Sequence, residues 1–285
     1  MAKILAVGIA TLDIINSVDA YPEENSEVRA TTQRQVRGGN ATNTLSVLSQ
    51  LGHDCLWAGV LIDEPDVQVI KQDLNSFDID YSHCQVLTSG KMPTSYISHD
   101  KNTGSRTIVH HRDCPEFSFA DFKKIDLTSF DWIHFEGRNI AETEKMFQWL
   151  DQHYPQLAYS LEVEKPRPDI ESLFNYPKIL MFSQHYAEAH GYQSAPELLN
   201  SLASHLTATC TWGEQGAWAK SSNVIIHKNA KPPEHIVDTL GAGDTFNAGL
   251  ISALIQQNTL EQALTKACQL ASNKCGQLGF AQLIS

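Results

Sequence analysis

The sequence predicts an α/β fold, with helices covering both faces of a mostly parallel sheet. Short apolar runs rich in branched side chains alternate with longer amphipathic segments, which is typical of parallel strands joined by helical crossovers. The chain has 285 residues, 42% of them hydrophobic, and this is enough to bury one large core. We therefore expect a three-layer α/β/α sandwich that forms a single domain over 1–285.

The predicted elements follow one another in a regular order. In the first half, apolar periodicity predicts a strand at 4–7, a helix at 41–51, a strand at 55–60 and a helix at 65–77. In the second half it predicts strands at 132–135, 157–161, 179–182 and 207–212, and helices at 141–153, 195–205, 242–257 and 260–275.

Two stretches interrupt this alternation. The segments 95–98 and 106–110 have the composition of strands and flank Asn102-Thr103-Gly104, a sequence typical of a hairpin turn. Together with the irregular stretch after the first strand, they predict a small separate β-sheet. We expect this sheet to act as a lid, formed by about 13–36 and 94–111.

Charge and cysteine content exclude several classes of protein. The 21 basic and 33 acidic residues give a net charge of -12, which argues against binding to nucleic acid or to an anionic membrane. No apolar run is long enough for a membrane span or a signal peptide, so we expect a cytoplasmic protein. The six cysteines are dispersed without a C-x-x-C pair, which favours free thiols over a disulfide or zinc scaffold.

One pair of histidines invites a metal-binding interpretation. His110 and His111 are neighbours on a predicted strand. Because neighbouring strand residues point to opposite faces of a sheet, the two rings cannot easily share one ion. We therefore expect no metal-binding side chains.

The sharpest functional motif is Asp238-Thr239-Leu240-Gly241-Ala242-Gly243-Asp244-Thr245-Phe246. A glycine-rich turn that opens a helix presents backbone N–H groups and the positive end of the helix dipole to a phosphate. In phosphoryl transfer a carboxylate accepts the proton of the attacking hydroxyl, and Asp244 stands one step beyond the turn. A shorter G-A-G-D string would fit a plain tight turn equally well.

A second motif, Arg37-Gly38-Gly39-Asn40-Ala41-Thr42-Asn43, opens another predicted helix. Paired glycines let a ligand approach the backbone, and Asn40 and Asn43 lie on the same side of a helix. Such mixed donors and acceptors suit the hydroxyls of a polyol, although Asn40 alone fits a helix cap and Asn43 a surface position. Asp13 follows the first strand, where open α/β sheets bind ligands, or it is an ordinary turn residue.

These motifs resemble the two signatures of the ribokinase-like (PfkB) carbohydrate kinases. The resemblance implies a ribokinase-like fold, Asp244 as the catalytic base, and an anion hole at Gly241, Ala242 and Gly243. It also implies a sugar site that contains Asp13, Gly39, Asn40 and Asn43.

Longer strings at 102–109, 132–139 and 162–167 resemble the ketohexokinase branch of that family, and shorter ones at 21–23 and 274–276 extend the likeness along the chain. This branch implies ATP-dependent phosphorylation of a ketose, with the C1 hydroxyl of fructose as the acceptor. Three alternatives stay open: the 6-hydroxyl of fructose, another sugar, or a catalytically silent regulator that binds a sugar or a nucleotide.

The same resemblance implies further site residues. Arg106 has the planar fork that suits a transferring phosphate, and Lys165 suits the nucleotide phosphates, although a surface ion pair would explain either residue. Glu136 and Arg138 are expected in the sugar site. The nucleotide site is expected to contain Trp212, Gly213, Glu214, Gly216, Gly241, Gly243, Asn273 and Cys275.

The expected ions and partners follow from the family pattern. Many members carry Asn-x-x-Glu where this chain has Ser183-Gln184-His185-Tyr186, so we expect Mg²⁺ to be held mainly by the ATP phosphates and water. A requirement for a monovalent cation is left open. Because lids of relatives often pair between subunits, we also expect a homodimer formed through the lid.

Overall fold

The computed structural model describes residues 1–103 and 105–284. The strands are β1 Lys3–Val7, β2 Thr11–Val18, β3 Thr32–Gly38, β4 Asp54–Ala58, β5 Val60–Ile62, β6 Gln85–Leu87, β7 Lys91–Asp100, β8 Arg106–Asp113, β9 Trp132–Glu136, β10 Ala158–Val163, β11 Ile179–Phe182, β12 Ala208–Thr211, β13 Ala217–Ser221 and β14 Val224–Lys228. The helices are α1 Asn40–Gln50, α2 Val67–Ser76, α3 Phe119–Phe122, α4 Ile140–His153, α5 Gln184–Ala189, α6 Ala195–Ser201, α7 Ala242–Ile255 and α8 Leu260–Lys274.

The main sheet has eight strands in the order β14-β13-β12-β11-β10-β9-β1-β4. All pairs from β4 to β12 are parallel, whereas β13 and β14 form an antiparallel edge. The central strands are buried along almost their whole length, as expected when helices cover both faces. The predicted α/β sandwich is confirmed.

Helices form the outer layers. On one side α1 packs against α7 and α7 against α8, while α1 also contacts β1 and β4. Another helix, α4, packs Phe147 edge-on against Phe135 of β9, with ring centroids 4.8 Å apart. The contact between α1 and α7 brings the beginnings of these helices together, where Thr44 donates to the backbone oxygen of Asp244 at 3.4 Å.

Two predicted elements differ from the structure. The strand expected at 55–60 is broken at Gly59, where a side chain would collide with the Trp57 ring, and β5 then leaves the main sheet to pair with β6. The helix expected at 195–205 ends at Ser201. The antiparallel edge β13–β14 was not predicted as a pair of strands.

The predicted small sheet is present. It has four strands in the order β3-β2-β7-β8, with β2 and β7 parallel and the other pairs antiparallel. Asp13, Ser95 and His110 stand opposite one another in this register, so they share one face. The sheet extends past the predicted limits, from Thr11 to Gly38 and from Lys91 to Asp113. Gly104, in the expected turn, lies outside the described residues.

Gly38, at the end of β3, leaves room for the side chain of Asp13 on the neighbouring strand β2. A Cβ atom at this position would overlap the carboxylate of Asp13. The paired glycines therefore have a role in packing as well as in ligand access, because they bring α1 and Asp13 to one place.

The C-terminal segment supports the start of α7. Lys274 is fully buried, and its Nζ donates to the backbone oxygen of Asp238 at 3.1 Å and lies 3.3 Å from the Asp238 carboxylate. The ring of Phe280 covers Gly241, where a side chain would overlap it and where φ is 78°. The turn before α7 is therefore held from behind by the end of the chain.

No helix among residues 1–103 and 105–284 combines the length and the apolar character that crossing a bilayer demands.

Candidate active site

A cleft of about 560 Å³ lies between the main sheet and the small sheet. It opens where the carboxyl ends of β9 and β10 meet the first turns of α1 and α7, the edge where α/β proteins bind ligands. Most of the predicted catalytic and sugar-binding residues line it, namely Asp13, Gly39, Asn40, Asn43, Arg106, Glu136, Arg138, Lys165, Gly241, Gly243 and Asp244.

A narrower slot of about 310 Å³ adjoins this cleft. Of the predicted nucleotide-site residues, Gly213, Glu214, Gly216 and Cys275 line it. Its walls are otherwise mainly apolar, including Ala230, Pro232, Ile236, Phe246, Cys268 and Ala271. Thr211, Thr239 and Gly243 line both cavities, so the turn before α7 stands at their junction.

Two predicted residues line neither cavity, and a third lacks the free backbone donor expected of it. Trp212 is buried and is not among the lining side chains. Asn273 is exposed on the outer face of α8, where its Oδ1 accepts from Gln269 at 2.9 Å, so Ser272 lines the slot in its place. Ala242 reaches the slot, but its N–H donates to the Thr239 backbone oxygen at 3.3 Å. Helical periodicity without packing information cannot tell which side of α8 faces inward.

Asp244 lies in the first turn of α7 and is only 6% exposed. Its Oδ2 accepts a hydrogen bond of 2.8 Å from Nδ2 of Asn43. Its Oδ1 has no hydrogen bond to the residues that the structure describes, although the side chain lines the cleft. One oxygen is thus fixed by the protein and the other is available to a ligand.

The environment of Asp244 makes it a stronger base than an ordinary carboxylate. Burial raises the pKa of Asp244 to about 7; the hydrogen bond from Asn43 opposes this increase, and the carboxylates of Glu164 and Glu136 add to it. A base with a pKa near the working pH accepts a proton efficiently while still being substantially ionised.

Free backbone donors surround this carboxylate. Within the described part of the chain, the N–H groups of Gly241, Gly243 and Asp244 make no hydrogen bond. The helix dipole adds partial positive charge at the same place. A Cβ atom on Gly243 would meet nothing within 4 Å, so this side of the turn is open to a ligand. The turn therefore has the properties of an anion site.

Two glutamates that were not predicted as site residues lie in the cleft and accept hydrogen bonds from asparagines of α1 and α7. Asn40 donates from Nδ2 to Glu162 and Glu164, each at 3.1 Å. Glu162 also accepts from Asn247 of α7 at 2.9 Å. Burial, with the carboxylates of Asp244 and Glu164, raises the pKa of Glu162 well above its ordinary value. The pattern Glu162-Val163-Glu164 at the end of a predicted strand could have indicated that both glutamates belong to the site.

Glu136 and Arg138 belong to an ion-pair chain that links the main sheet to the small sheet. Arg138 contacts Glu136 at 3.3 Å and Glu116 at 2.9 Å, and Glu116 also pairs with Arg112 of β8. Glu136 accepts from the N–H of Ile9 at 3.0 Å. Burial raises the pKa of Glu136, and Arg138 opposes the increase. These two residues are already largely engaged with the protein.

Asp13 faces the cleft from the small sheet. Its Oδ1 accepts from Thr11 Oγ1 at 2.7 Å. Burial raises the pKa of Asp13, whereas hydrogen bonds from Thr11 and Ser95 lower it. The other carboxylate oxygen lies beside Gly38, and the side chain lines the cleft.

The cations of the cleft lie on its outer part. Arg106 is exposed on β8, and Lys165 is exposed beyond β10 with its Nζ 3.4 Å from Glu164. Arg167, which the sequence did not single out, also lines the cleft. These side chains can neutralise a polyphosphate that enters from the adjoining slot.

The segment Ser183-Gln184-His185-Tyr186 offers few oxygen ligands for a metal ion. Among residues 1–103 and 105–284, no group of three or more His, Cys, Asp and Glu side chains is arranged to hold a metal ion. Gln184 donates to Glu188 at 2.7 Å, so it is engaged within its own helix. Such a cleft fits an ion that arrives with its own oxygen ligands.

Comparison with known proteins agrees with this geometry. The model of the pfkB family carbohydrate kinases matches residues 1–284. The chain belongs to this family. It is 41% identical to ketohexokinase of Mus musculus over 99% of both chains, and 25% identical to ribokinase of Bacillus subtilis over 95% of this chain and 92% of that one. The protein is an ATP-dependent sugar kinase.

Solved structures show the same fold. Adenosine kinase of Sinorhizobium meliloti superposes with a TM-score of 0.84 at 20% identity, covering 100% of this kinase and 97% of that chain. Ribokinase of Arabidopsis thaliana, complexed with ribose and ATP, gives 0.82 at 17% identity, covering 98% and 94%. The ribokinase-like fold predicted from the sequence is confirmed.

A methyl group at position 243 tests the anion site directly. We expect Gly243→Ala to raise KM for ATP at least about 10-fold, because the methyl would occupy the open side of the turn. Stability should be retained or slightly increased, because alanine favours a helix over glycine. Steady-state kinetics and thermal unfolding measure the two effects. Gly241→Ala is the contrasting variant, and it should lose stability as well because of Phe280 and its positive φ. An unchanged KM in Gly243→Ala would argue against phosphate binding here.

The raised pKa of Asp244 predicts a pH-dependent stability. The folded protein holds this proton up to about pH 7, whereas the unfolded chain loses it near pH 4. The free energy of unfolding therefore falls as the pH rises through this window. Asp244→Asn removes this cost, so we expect it to stabilise the protein by on the order of 1 kcal/mol or more at pH 8 and by less at pH 5. Urea denaturation at both pH values measures this, with Asp78→Asn, at an exposed position, as the control. Equal effects at both pH values would contradict the prediction.

Proposed function

We propose that this kinase transfers the γ-phosphoryl group of ATP to the C1 hydroxyl of a ketose, with fructose as the preferred acceptor. The observation that carries the proposal is the position of Asp244, whose free Oδ1 lies beside free backbone N–H groups in a cleft lined by polar side chains. The likeness to mouse ketohexokinase supports a ketose as the acceptor.

The two cavities suggest how the substrates are arranged. The polar cleft suits the sugar and the mainly apolar slot suits the adenine ring, so the phosphates pass through their junction at Gly243. Because Asp13 and Asn40 line the polar cleft, they are proposed to orient the sugar hydroxyls. Asn43 has most of its hydrogen-bonding capacity committed to Asp244 and Arg37, so its proposed role shifts toward positioning the base.

The proposed reaction needs no covalent intermediate. Asp244 Oδ1 takes the proton of the attacking hydroxyl as the hydroxyl oxygen bonds to the γ-phosphorus, and the bond to the bridging oxygen of ADP breaks. The N–H groups of Gly241, Gly243 and Asp244 stabilise the transferring group, and Arg106 and Lys165 offset its negative charge. We propose that Mg²⁺ enters with the ATP phosphates, whose charge it neutralises when bound.

The small sheet is proposed to be the lid of this site, belonging to a single kinase domain. Asp13, Ser95, Arg106 and His110 all reach the cleft from it, so its closure over the sugar would exclude water and suppress hydrolysis of ATP. We further propose a cytoplasmic location, where ATP is available and the six free cysteines stay reduced.

An ADP-release assay over a sugar panel tests the function. We expect fructose to give a kcat/KM at least about 10-fold above ribose, and phosphorus NMR of the product to show a phosphate on C1. Asp244→Asn should lose about 10²-fold to 10⁴-fold in turnover. A product carrying phosphate at C6, or a preference for another sugar, would replace the proposed acceptor. Absence of turnover with every sugar would favour the silent regulator, and wild-type turnover in Asp244→Asn would refute the role of this base.

A homodimer through the small sheet is a second proposal. The edge of β8 is unpaired among the described strands, and Ile108, Val109 and Tyr96 are 51%, 65% and 46% exposed. An apolar sheet edge of this kind is suited to a twofold partner.

Light scattering after size exclusion tests this assembly. We expect Val109→Asp to convert a dimer into a monomer, because a buried charge at the interface lacks a partner. Val224→Asp is the matched control, since Val224 is 64% exposed on β14, the edge strand of the main sheet. A wild-type monomer, or a dimer that survives Val109→Asp, would contradict the proposal.

A further inference from the structure

Arg37 is a buried cation beneath the catalytic base, at the junction of β3 and α1. Its side chain is 1% exposed, and it does not line the cleft formed by the described residues. Its Nε donates to Asp73 of α2 at 3.1 Å, and its Nη2 donates to Ser46 at 2.6 Å. A guanidinium so completely enclosed is costly to bury unless its donors are satisfied.

The third contact of Arg37 leads to the active site. Nη1 donates to Oδ1 of Asn43 at 2.8 Å and to Thr42 at 2.7 Å. An arginine has only donors, whereas a side-chain amide has one oxygen and one NH₂ group. The oxygen of Asn43 must therefore face Arg37, and its NH₂ group must face the opposite way.

The opposite side of this amide is occupied by Asp244. Nδ2 of Asn43 donates to Oδ2 of Asp244 at 2.8 Å. A reversed amide would place NH₂ against the guanidinium and oxygen against the carboxylate, so both contacts would become repulsive. Arg37 thus determines the direction of the amide, and the amide determines which oxygen of Asp244 is free.

We propose that Arg37 is a positioning residue of the phosphoryl-transfer reaction, which acts through Asn43 to hold Asp244 with Oδ1 directed at the acceptor hydroxyl. The proposal rests on the function proposed above, in which Asp244 is the base. Because Arg37 is buried and does not line the cleft, we expect it to act only through the geometry and charge of Asp244.

The charge of Arg37 adds a second, measurable effect. Many titratable and charged groups act on Asp244 or line the cleft with it. They are Glu136 and Arg138 on and beside β9, Glu162, Glu164, Lys165 and Arg167 at the end of β10, Asp13 on β2, Arg37 on β3, and Arg106, His110 and Arg112 on β8. The carboxylates Glu164 and Glu136 raise the pKa of Asp244 further, while Arg37 lowers it. Removing this cation should therefore make Asp244 harder to ionise.

The pH profile of kcat/KM for the sugar separates this role from a purely structural one. We expect Arg37→Met to lower kcat about 10-fold to 100-fold and to move the acid limb of the profile measurably to higher pH. Arg37→Lys keeps the charge but not the fork, so it should lower kcat while leaving the acid limb in place. Wild-type kcat and an unmoved limb in Arg37→Met would overturn the proposal.

Lys220→Met is the matched control. Lys220 is likewise buried, and its Nζ donates to the backbone oxygens of Leu199 and Leu202, away from the cleft. It should lose thermal stability without a shift of the pH profile. A shift of the same size as in Arg37→Met would show that loss of any buried cation has this effect and would overturn the specific role of Arg37.

A double-mutant cycle keeps the test decisive if Arg37→Met does not fold. Because Arg37 is proposed to act through Asn43, the loss caused by Arg37→Lys should largely disappear in an Asn43→Leu background. An equal loss in both backgrounds would overturn the proposal. Failure of the proposed function can be distinguished from failure of this inference. If Asp244 is not the base, Asp244→Asn remains active. If only the role of Arg37 is wrong, Asp244→Asn is inactive while the Arg37 variants keep wild-type activity.

Discussion

The hydrogen bond between Asn43 and Asp244 joins the two segments on which the rest of this active site depends. Each residue lies in the first turn of a helix, and α1 and α7 pack side by side above the carboxyl ends of the sheet. A buried carboxylate is unfavourable unless donors and positive potential compensate it, and here the amide and the start of α7 supply both. The fold brings the side chains of Asn43 and Asp244 within hydrogen-bonding distance. It does so through the sheet, the first turns of the two helices and the glycine turns before them.

The electrostatics of the cleft are determined by its buried carboxylates. Asp13, Glu136, Glu162 and Asp244 are all buried, and burial raises the pKa of each. The protein thus maintains an arrangement that is unfavourable while the cleft is empty, a common cost of catalytic sites. Cationic side chains stand at the mouth, on the small sheet and beyond β10. The cleft thus offers an anion opposite charge at its mouth and free N–H groups inside.

Much of this architecture could be predicted from the sequence, because the information was local. The apolar runs gave the central strands, and the glycine-containing strings gave the starts of α1 and α7 together with Asp244, Asn40 and Asn43. What could not be predicted depends on partners distant in the chain. Glu162 acquires its role from Asn40 and Asn247, and Arg37 from Asn43 and Asp73. Trp212 and Asn273 do not line the two cavities, because a motif gives the neighbourhood of a residue but not the side to which its side chain points.

The contact between Phe280 and Gly241 couples the glycine turn to a segment distant from it in the sequence. Gly279 donates to the carboxylate of Asp238, and Gln50 of α1 holds the backbone of Phe280 and Leu283. The same segment therefore fastens α1 to the turn before α7. A substitution that loosens Phe280 would disturb Gly241 without altering any residue that lines the cleft.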